Sequence, residues 1–366
     1  MLKNSFKEKI NINLLLYLGI IVVSVLILTF LDMNKREYIY AISIIERSLV
    51  FAVAALAMNM VTGFTGLFSL GQAGFMALGA YTTAILTIPV ELRPNVYYME
   101  GILPALENLS FPIPIAVILG GVVAAFFAFL IGIPILRLKS DYLAIATLGF
   151  SEIMRAVIAS HMMDKITNGA YGLNNIPEFS SSIECFIYTS ICIIAMILII
   201  NSSTGRDFKA IREDEIAARS VGINIFKTKE LSFVVSSFFT GISGGLLAMY
   251  MSSINSSTFQ ITLTYDVLLI VVLGGIGSIT GSIVGAFFVT AGKELLRFFD
   301  EPLTVAGVNV PLFKPGFRMV IFSILLMVVV LFFRKGLLGG KELSLNGFKK
   351  YSRKKEDKGI QVGGAS

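Results

Sequence analysis

The chain has 366 residues, of which 55% are hydrophobic and only 15% are charged, and its formal net charge is +6. A soluble domain carries about 25% charged residues, so this composition excludes an ordinary soluble protein. The Lys and Arg residues lie between apolar runs rather than on a solvated face beside aromatic side chains, which argues against nucleic-acid binding.

Nine apolar runs follow one another along the chain, and a helix of about 20 such residues crosses a bilayer. They are residues 14–31, 38–61, 67–88, 112–136, 142–160, 183–201, 231–251, 264–291 and 317–333. Run 14–31 is too long for a signal peptide, so we interpret it as an uncleaved first span. Run 38–61 contains Glu46 and Arg47, and run 264–291 is interrupted by glycines. The second of these could be one tilted span, two passes or a re-entrant hairpin.

These runs predict an all-α fold, a polytopic membrane helical bundle of about eight to ten transmembrane helices. The basic loops are 1–13, 137–141, 202–230 and the tail from 334. Loops 89–111 and 161–182 are acidic or nearly neutral, so the positive-inside rule places them outside and both termini in the cytoplasm. We therefore expect a multi-pass protein of the bacterial cytoplasmic (inner) membrane. Residues 1–340 would form the transmembrane domain, and 341–366 a basic, disordered cytoplasmic tail near anionic lipid.

Enzyme signatures are mostly absent from the sequence. With His161 as the single histidine, no His-pair metal site is possible, and there is no G-x-x-x-x-G-K-[ST] loop to bind ATP. Cys185 and Cys192 lie seven residues apart in one apolar run, too far apart along a helix for a disulfide, and are expected to be buried. We therefore predict no enzymatic activity, no catalytic residue, no metal and no cofactor.

Two glycine-containing segments have two interpretations. Gly277, Gly281 and Gly285 recur every four residues. A second set falls on a broader arc among polar residues and consists of Gly63, Gly66, Gly71 and Gly74. Both could serve helix packing alone. Alternatively, they could be broken helices whose backbone groups line a translocation path.

A further candidate is Glu152, which lies three residues before Arg155 within a span and can pair with it on one helix face. This pair could be structural, or it could act as a gate or a substrate contact. The candidate translocation-path residues are Asn59, Ser69, Gly71, Gln72, Gly74, Glu152, Gly277 and Gly281.

Residues 205–222, GRDFKAIREDEIAARSVG, lie between two strong spans and yet are typical of a single amphipathic helix. Phe208, Ile211 and Ala218 recur on one helical face, and Gly222 is placed to end the helix. The other features are the N-cap candidates Ser203 and Thr204 and the charged pairs Lys209–Glu213 and Glu215–Arg219. A cytoplasmic helix with small residues beside charges could dock in a partner's groove, or it could be a solvated connection.

The sequence of this helix resembles that of a known protein family. The sequence EIAARSVG at 215–222 resembles the EAA loop of ABC importer permeases. More closely, GLFSLGQAGFMALGAY at 66–81, DYLAIATLGFSEIMR at 141–155, residues 205–222 and LGGIGSITGSIVGA at 273–286 resemble branched-chain amino-acid permeases of the LivM type. The resemblance runs in order from about Val50 to about Gly340. Two departures stand out: the usual Glu of the EAA triplet falls on Ile216, and the external Thr-Gly-Gly reads Thr167-Asn168-Gly169.

The resemblance implies that helix 206–221 is a coupling helix that docks on separate ATP-binding subunits. Its expected contact residues are Arg206, Phe208, Ile211, Glu215, Ala217, Ala218 and Gly222. It also implies a homologous second permease subunit, an extracytoplasmic solute-binding protein that delivers substrate to loops 89–111 and 161–182, and a path between the two permeases in the lipid bilayer. The expected cargo is leucine, isoleucine or valine.

Three alternatives stay open at this point. Urea and other small-amide permeases look similar to this sequence. An ion-coupled secondary transporter would need carboxylates at mid-membrane, and Glu152 is the best candidate. A channel or structural membrane subunit would leave the helix at 206–221 unexplained.

Overall fold

The computed structural model describes residues 19, 23–138, 140–296, 304–305, 308–309, 323–324 and 327. Most of the predicted runs 14–31 and 317–333, and the whole predicted tail 341–366, lie outside these residues. The chain divides into two compact units, Ser43–Gly340 and a second unit formed by Met1–Ile42 with Lys341–Ser366. The described part of the second unit holds the apolar helix α1 (Val23–Met33) and the first turn of α2.

The described elements are almost all helical, as the sequence predicts. The helices after α1 are α2 (Ile39–Asn59), α3 (Gln72–Thr87), α4 (Arg93–Val96), α5 (Pro104–Glu107), α6 (Ile113–Ile135), α7 (Ser140–Ile158), α8 (Asp164–Thr167), α9 (Ser182–Asn201), α10 (Ser203–Glu213), α11 (Glu215–Ser220), α12 (Ile225–Met251), α13 (Ile261–Gly274) and α14 (Ile279–Leu295). A π-helical turn (Met60–Phe64) extends α2, and 3-10 turns lie at Val90–Leu92, His161–Met163 and Ser256–Phe259. Two short strands, β1 (Thr304–Val305) and β2 (Val308–Asn309), pair antiparallel.

Helices α2 and α12 form the centre of the unit Ser43–Gly340. Their most apolar windows are 67% and 78% buried, against 39% for α6 and 28% for α9. Serines of α12 donate to backbone carbonyls of α2, from Ser236 to Ala57 at 2.6 Å and from Ser243 to Val50 at 2.9 Å. These bonds satisfy hydroxyl groups that are buried among the helices, which is how small polar residues join membrane helices.

Close glycine contacts join α3, α6 and α12. A side chain added at Gly79 of α3 would strike the backbone of Gly241 in α12, and one added at Gly120 of α6 would meet the carbonyl oxygen of Gly79 at 2.7 Å. Small residues therefore let three backbones approach at one crossing, and the gain is van der Waals contact rather than hydrophobic burial.

Run 264–291 is a helical hairpin rather than one tilted span. Helices α13 and α14 pack against each other. At the turn, a side chain added at Gly274 would strike the Gly281 backbone, and one at Gly285 would meet the Ile270 carbonyl oxygen at 2.7 Å. The sequence left this possibility open, and the glycine turn between the two helices decides it.

Four helices in the described residues are long and apolar enough to cross a membrane: Ile39–Phe64, Ile113–Ile135, Ser182–Asn201 and Ile225–Met251. Two bent pairs, Gln72–Thr87 with Val90–Val96 and Tyr142–Ile158 with His161–Thr167, raise the number to six if each pair is one span. The predicted eight to ten spans therefore become four to six within the described part. The difference arises because run 264–291 splits into two shorter helices and because the first and last predicted runs are mostly not described.

Peripheral helices present apolar side chains outward. Phe126 and Phe129 of α6 are 56% and 50% exposed, and Ile191 and Leu198 of α9 are 60% and 67% exposed. Exposing these apolar side chains to water would be unfavourable, so these helix faces are suited to contact with lipid or with another membrane subunit.

Candidate functional site

The break between α2 and α3 is held by Asn59, the last residue of α2. Its side chain is fully buried and makes two hydrogen bonds to the turn between α13 and α14 and a third to Ser282 in the first turn of α14. The amide nitrogen donates to the Ser278 carbonyl at 2.9 Å and to Ser282 Oγ at 2.7 Å, while Oδ1 accepts from the Gly277 backbone N–H at 2.8 Å. Losing such a side chain strands buried polar groups at about 1–3 kcal/mol each. Asn59 therefore joins two interrupted helical segments.

Helix α3 begins without a capping side chain of its own, and hydroxyl groups from other helices take that role. The backbone N–H of Ala73 donates to Thr264 Oγ1 at 3.0 Å, and the N–H of Leu70 donates to Thr147 Oγ1 at 2.9 Å. The first N–H groups of a helix lack intrahelical partners, so the Ala73 bond stabilises the helix start, and the Leu70 bond fixes the backbone just before it. The backbone after the break is thereby fixed to α7 and α13.

The predicted path residues around this start are buried and already have partners. Ser69 is 1% exposed, and Gln72, 3% exposed, accepts a 2.6 Å hydrogen bond from Thr240. Gly71 and Gly74 lie against α7, where a side chain at Gly71 would meet the Thr147 carbonyl oxygen at 3.2 Å and one at Gly74 would meet Ser151 Cα at 2.8 Å. In this conformation these residues pack helices together rather than face an open channel.

The remaining path candidates fall at different places. Gly277 lies in the α13–α14 turn with φ +80°, so it is not part of a helical glycine stripe with Gly281 and Gly285. Gly281 packs against Gly274 inside the hairpin. Glu152 pairs with Arg155 at 2.8 Å on α7, with about a third of each side chain exposed. The structure thus brings together Asn59 and Gly277, but not all eight candidates.

The amphipathic segment after α9 forms two helices, which corrects the prediction of one helix over 206–221. Ser202 caps α10, accepting from the Gly205 N–H at 3.4 Å, rather than Ser203 or Thr204. Asp214 then leaves helical geometry and caps α11, since its Oδ1 accepts from the backbone N–H groups of Ile216 at 2.7 Å and Ala217 at 3.0 Å. The cap turns the chain between the two helices.

The expected ion pairs on this segment are also different. Glu213 pairs with its neighbour Arg212 at 2.5 Å rather than with Lys209, and Glu215 pairs with Lys229 of α12 at 2.5 Å rather than with Arg219. Because the helix breaks at Asp214, the four-residue spacing no longer describes one continuous surface. Gly222 follows α11 with φ +91°, in agreement with its predicted place after the helix end.

Burial divides the predicted contact residues into two groups. Phe208, Ile211 and Ala218 are 0%, 2% and 3% exposed, and the last two pack in a small cluster with Ile225. They attach the two helices to the bundle, so their side chains are not available to a partner in this conformation. The other predicted contact residues are exposed, namely Arg206, Glu215, Ala217 and Gly222. Their neighbours Ile216, Arg219 and Val221 are exposed as well. Ile216 and Val221 are large apolar side chains that are 83% and 77% exposed.

Arg212 connects α10 to both broken segments. Its Nη1 donates to the Gly63 carbonyl in the π-helical turn at 2.7 Å. A side chain built at Gly277 would meet Nη1 at 2.9 Å, and one at Gly66, where φ is +79°, would meet Arg212 Cγ at 3.1 Å. Glycine at these two positions therefore allows both the left-handed backbone and the approach of the arginine. Beside it, Lys209 Nζ lies 5.5 Å from the centroid of the Phe64 ring.

Sequence reasoning did not identify Arg212 as a site residue. The sequence showed an arginine on a predicted helix and glycines at positions that could interrupt other helices. Nothing in their spacing indicated that position 212 would contact positions 63 and 277. Across the described ranges, no group of three His, Cys, Asp or Glu side chains could hold a metal ion. Arg212 thus joins α10 by direct contacts to the π-helical turn after α2 and to the turn between α13 and α14.

Comparison with known proteins adds an independent line of evidence. The chain is 33% identical over 295 residues to the high-affinity branched-chain amino acid transport system permease protein LivM of Salmonella typhimurium, covering 71% of this chain and 64% of that protein. The corresponding LivM protein of Escherichia coli is 33% identical over 294 residues with the same coverage. A probable branched-chain amino acid transport permease protein LivM of Methanocaldococcus jannaschii is 24% identical over 322 residues, which is 80% of this chain and 92% of that protein.

The chain thus spans 64% of the length of the first two relatives. No solved structure matches it. Residues 40–331, from the start of α2 to beyond the hairpin of α13 and α14, match the family described as "Branched-chain amino acid transport system / permease component". Since this match covers most of the sequence, the chain belongs to the family of permease components of branched-chain amino acid transport systems.

Proposed function

We propose that this chain is the membrane-spanning subunit of an ABC importer that moves leucine, isoleucine or valine into the cytoplasm, powered by a separate ATPase. The observation that carries the proposal is the attachment of α10 and α11 to two helix breaks through Arg212, with apolar Ile216 and Val221 left exposed. An energy-coupling element needs both an exposed docking surface and a firm connection to the moving helices. Family membership supports the same function.

In this mechanism the ATPase contacts the exposed side of α11, where Glu215, Ala217 and Arg219 surround Ile216. An exposed apolar side chain ringed by charges is typical of a protein interface. When two ATPase subunits close on ATP binding, they displace α10 and α11. Through the contacts of Arg212, this displacement moves the π-helical turn and the turn between α13 and α14. The bundle then changes between inward-facing and outward-facing conformations, and hydrolysis resets it.

The other partners follow from the same proposal. A homologous permease subunit covers part of the exposed apolar surface, lipid covers the rest, and the translocation path lies between the two permeases. A solute-binding protein delivers substrate at loops 89–111 and 161–182. The protein then lies in the bacterial inner membrane, with α10, α11 and both termini in the cytoplasm and the domain of residues 1–340 in the membrane.

A secondary transporter is a weaker explanation of these contacts. Glu152, the carboxylate that would carry a coupling ion, lies 2.8 Å from Arg155, which already neutralises it. Urea is the main competing cargo, because it would use the same coupling apparatus and differs only in what the path recognises.

The test is uptake of radiolabelled leucine and, in parallel, urea, in cells that lack the chain and in the same cells complemented with it. We expect leucine uptake to be lost and restored, and urea uptake to stay constant. A response of urea alone would retain the importer and replace the cargo. No response of either, together with failure of an ATPase subunit to co-purify with the chain, would contradict the importer itself.

A further inference from the structure

A cleft of about 250 Å³ opens between α2, α12 and α13. Its apolar lining includes Phe51, Leu247 and Leu263, and its charged lining consists of Arg47 and Asp266. The volume is slightly below the about 300–1,000 Å³ of sites for drug-sized ligands, so the cleft suits a smaller molecule. None of these residues belongs to the path predicted from the sequence.

The charged residues of the cleft lie within apolar helices, where charge is rare and usually functional. Arg47 follows Glu46 in the otherwise apolar helix α2, and its guanidinium carbon lies 5.7 Å from the centroid of the Phe51 ring. The Glu46 carboxylate accepts a hydrogen bond from Ser182 of α9. In the part of the chain that the structure describes, Arg47 forms no ion pair with a carboxylate. Asp266 pairs with Lys293 of α14 at 2.5 Å, and about a third of its side chain is exposed.

We propose that this cleft binds the transported substrate as a zwitterionic α-amino acid with an aliphatic side chain, an inference that rests on the proposed function. The Arg47 guanidinium receives the α-carboxylate, because its planar donors fit a carboxylate in two parallel hydrogen bonds. Asp266 receives the α-ammonium, which competes with Lys293 for the same carboxylate. Phe51, Leu247 and Leu263 enclose the aliphatic side chain.

The composition of the cleft distinguishes an amino acid from other small solutes. Urea carries no charge, so binding it would leave Arg47 without a counterion and would make no use of the Asp266 carboxylate, which would stay paired with Lys293. An aliphatic amino acid supplies one group of each sign and an apolar remainder of matching chemistry. A lipid phosphate would satisfy Arg47 alone, and Asp266 would then repel it.

The position of the cleft fits entry of substrate from outside. It includes residues at the end of α12 around Met251, whereas α11 precedes the start of α12 at Ile225. A helix of 27 residues is about 40 Å long, so the cleft and the proposed docking surface are separated by about the thickness of a bilayer. Substrate would bind near one membrane face and energy would enter at the other.

The experiment uses the complete importer, purified with its ATPase and reconstituted in liposomes with saturating leucine-loaded binding protein. The variants are Arg47→Gln, Arg47→Lys and Asp266→Asn. Arg36→Gln, an exposed arginine before α2 and outside the cleft, is the matched control. Co-purification of the ATPase with each variant establishes that the variant is folded and assembled.

We expect Arg47→Gln and Asp266→Asn to lower the initial rate of leucine uptake about tenfold or more, because each removes a charged hydrogen-bonding partner of the substrate. Arg47→Lys retains the charge and should restore a measurable part of the rate, and Arg36→Gln should transport like the wild type. A wild-type rate in Arg47→Gln, or an equal loss in Arg36→Gln, would overturn the cleft proposal.

Two further arms separate the alternatives. If the defect of Arg47→Gln disappears in liposomes without anionic lipid, Arg47 binds lipid headgroups and the proposal is wrong. If the wild-type importer transports no leucine at all, the proposed function fails and the cleft proposal with it. Leucine transport by the wild type combined with a normal rate in Arg47→Gln rejects the cleft alone.

Discussion

Replacing Arg212 with alanine should uncouple ATP hydrolysis from transport while leaving the bundle folded. The substitution removes the 2.7 Å hydrogen bond from the guanidinium to the Gly63 carbonyl and the packing against Gly66 and Gly277. The buried cluster of Ile211 and Ala218 with Ile225, and the Asp214 cap, remain in place. The variant therefore keeps α10 and α11 attached but disconnects them from the two helix breaks.

The size of the effect follows from the contact. A hydrogen bond from a charged group contributes about 1.5–3 kcal/mol when it is well buried. The Arg212 side chain is 36% exposed and also pairs with Glu213, so screening and competition reduce this to about 1–1.4 kcal/mol. If the bond exists in only one of the two transport conformations, its loss shifts their equilibrium about five- to tenfold.

The assay is the number of ATP molecules hydrolysed per leucine transported in reconstituted liposomes. We expect this ratio to rise about five- to tenfold for Arg212→Ala and less for Arg212→Lys, which can still donate one hydrogen bond. Lys227→Ala is the control, because Lys227 is an exposed basic residue on the first turn of α12 outside the Arg212 contacts. An unchanged ratio in Arg212→Ala would refute the transmission role, and an equal rise in Lys227→Ala would show a general charge effect.

Two matched pairs test other parts of the structure. Ala217→Arg, at an exposed position, should block co-purification of the ATPase without unfolding α10 and α11. Ala218→Arg, at a position that is 3% exposed, should loosen the two helices and make them susceptible to limited proteolysis. Equal proteolysis of the two variants would contradict the assignment of Ala217 to the exposed face and Ala218 to the buried face. Gly281→Ala should lower the midpoint of thermal unfolding in detergent, because the added methyl group separates α13 from α14. Gly149→Ala is the control and should keep or slightly raise the midpoint, because no atom lies within 4 Å of the added carbon. A wild-type midpoint for Gly281→Ala would refute the close packing of the two helices.

The sequence predicted the elements whose signals are local and periodic. Apolar runs at 112–136 and 183–201 correspond to α6 and α9, and the Glu152–Arg155 pair forms as the three-residue spacing indicates. The amphipathic pattern after α9 also predicted helix. It failed at Asp214, where the aspartate caps a new helix instead of continuing the first. An aspartate directly before Glu215-Ile216-Ala217-Ala218 is a typical N-cap residue and indicated a new helix start. The interpretation of the charges as pairs on one continuous helix did not take this signal into account.

The site could not be predicted in the same way, because its contacts join residues far apart in the chain. Asn59 bonds to a turn 218 residues later, and Arg212 bonds to a carbonyl 149 residues earlier. Glycine at 63, 66 and 277 marked irregular backbone, but only the fold shows that these glycines accommodate one arginine and one asparagine. The apolar stripe of Phe208, Ile211 and Ala218 predicts a buried face. It does not distinguish burial against the rest of the chain from burial against a partner.

The hairpin of α13 and α14 is the element through which these separate features can act together. Asp266, paired with Lys293 at one end, borders the proposed substrate cleft, and Gly277 in the turn at the other end lies against Arg212. Gly274 and Gly285 hold the helices so closely that a shift of the turn must move both. In the proposed mechanism, a displacement of α10 reaches the Asp266–Lys293 pair through the packed hairpin, and substrate that competes for Asp266 acts on the same hairpin from its other end. Binding and energy input then bias one structural element, which is the physical requirement for coupling between two distant sites.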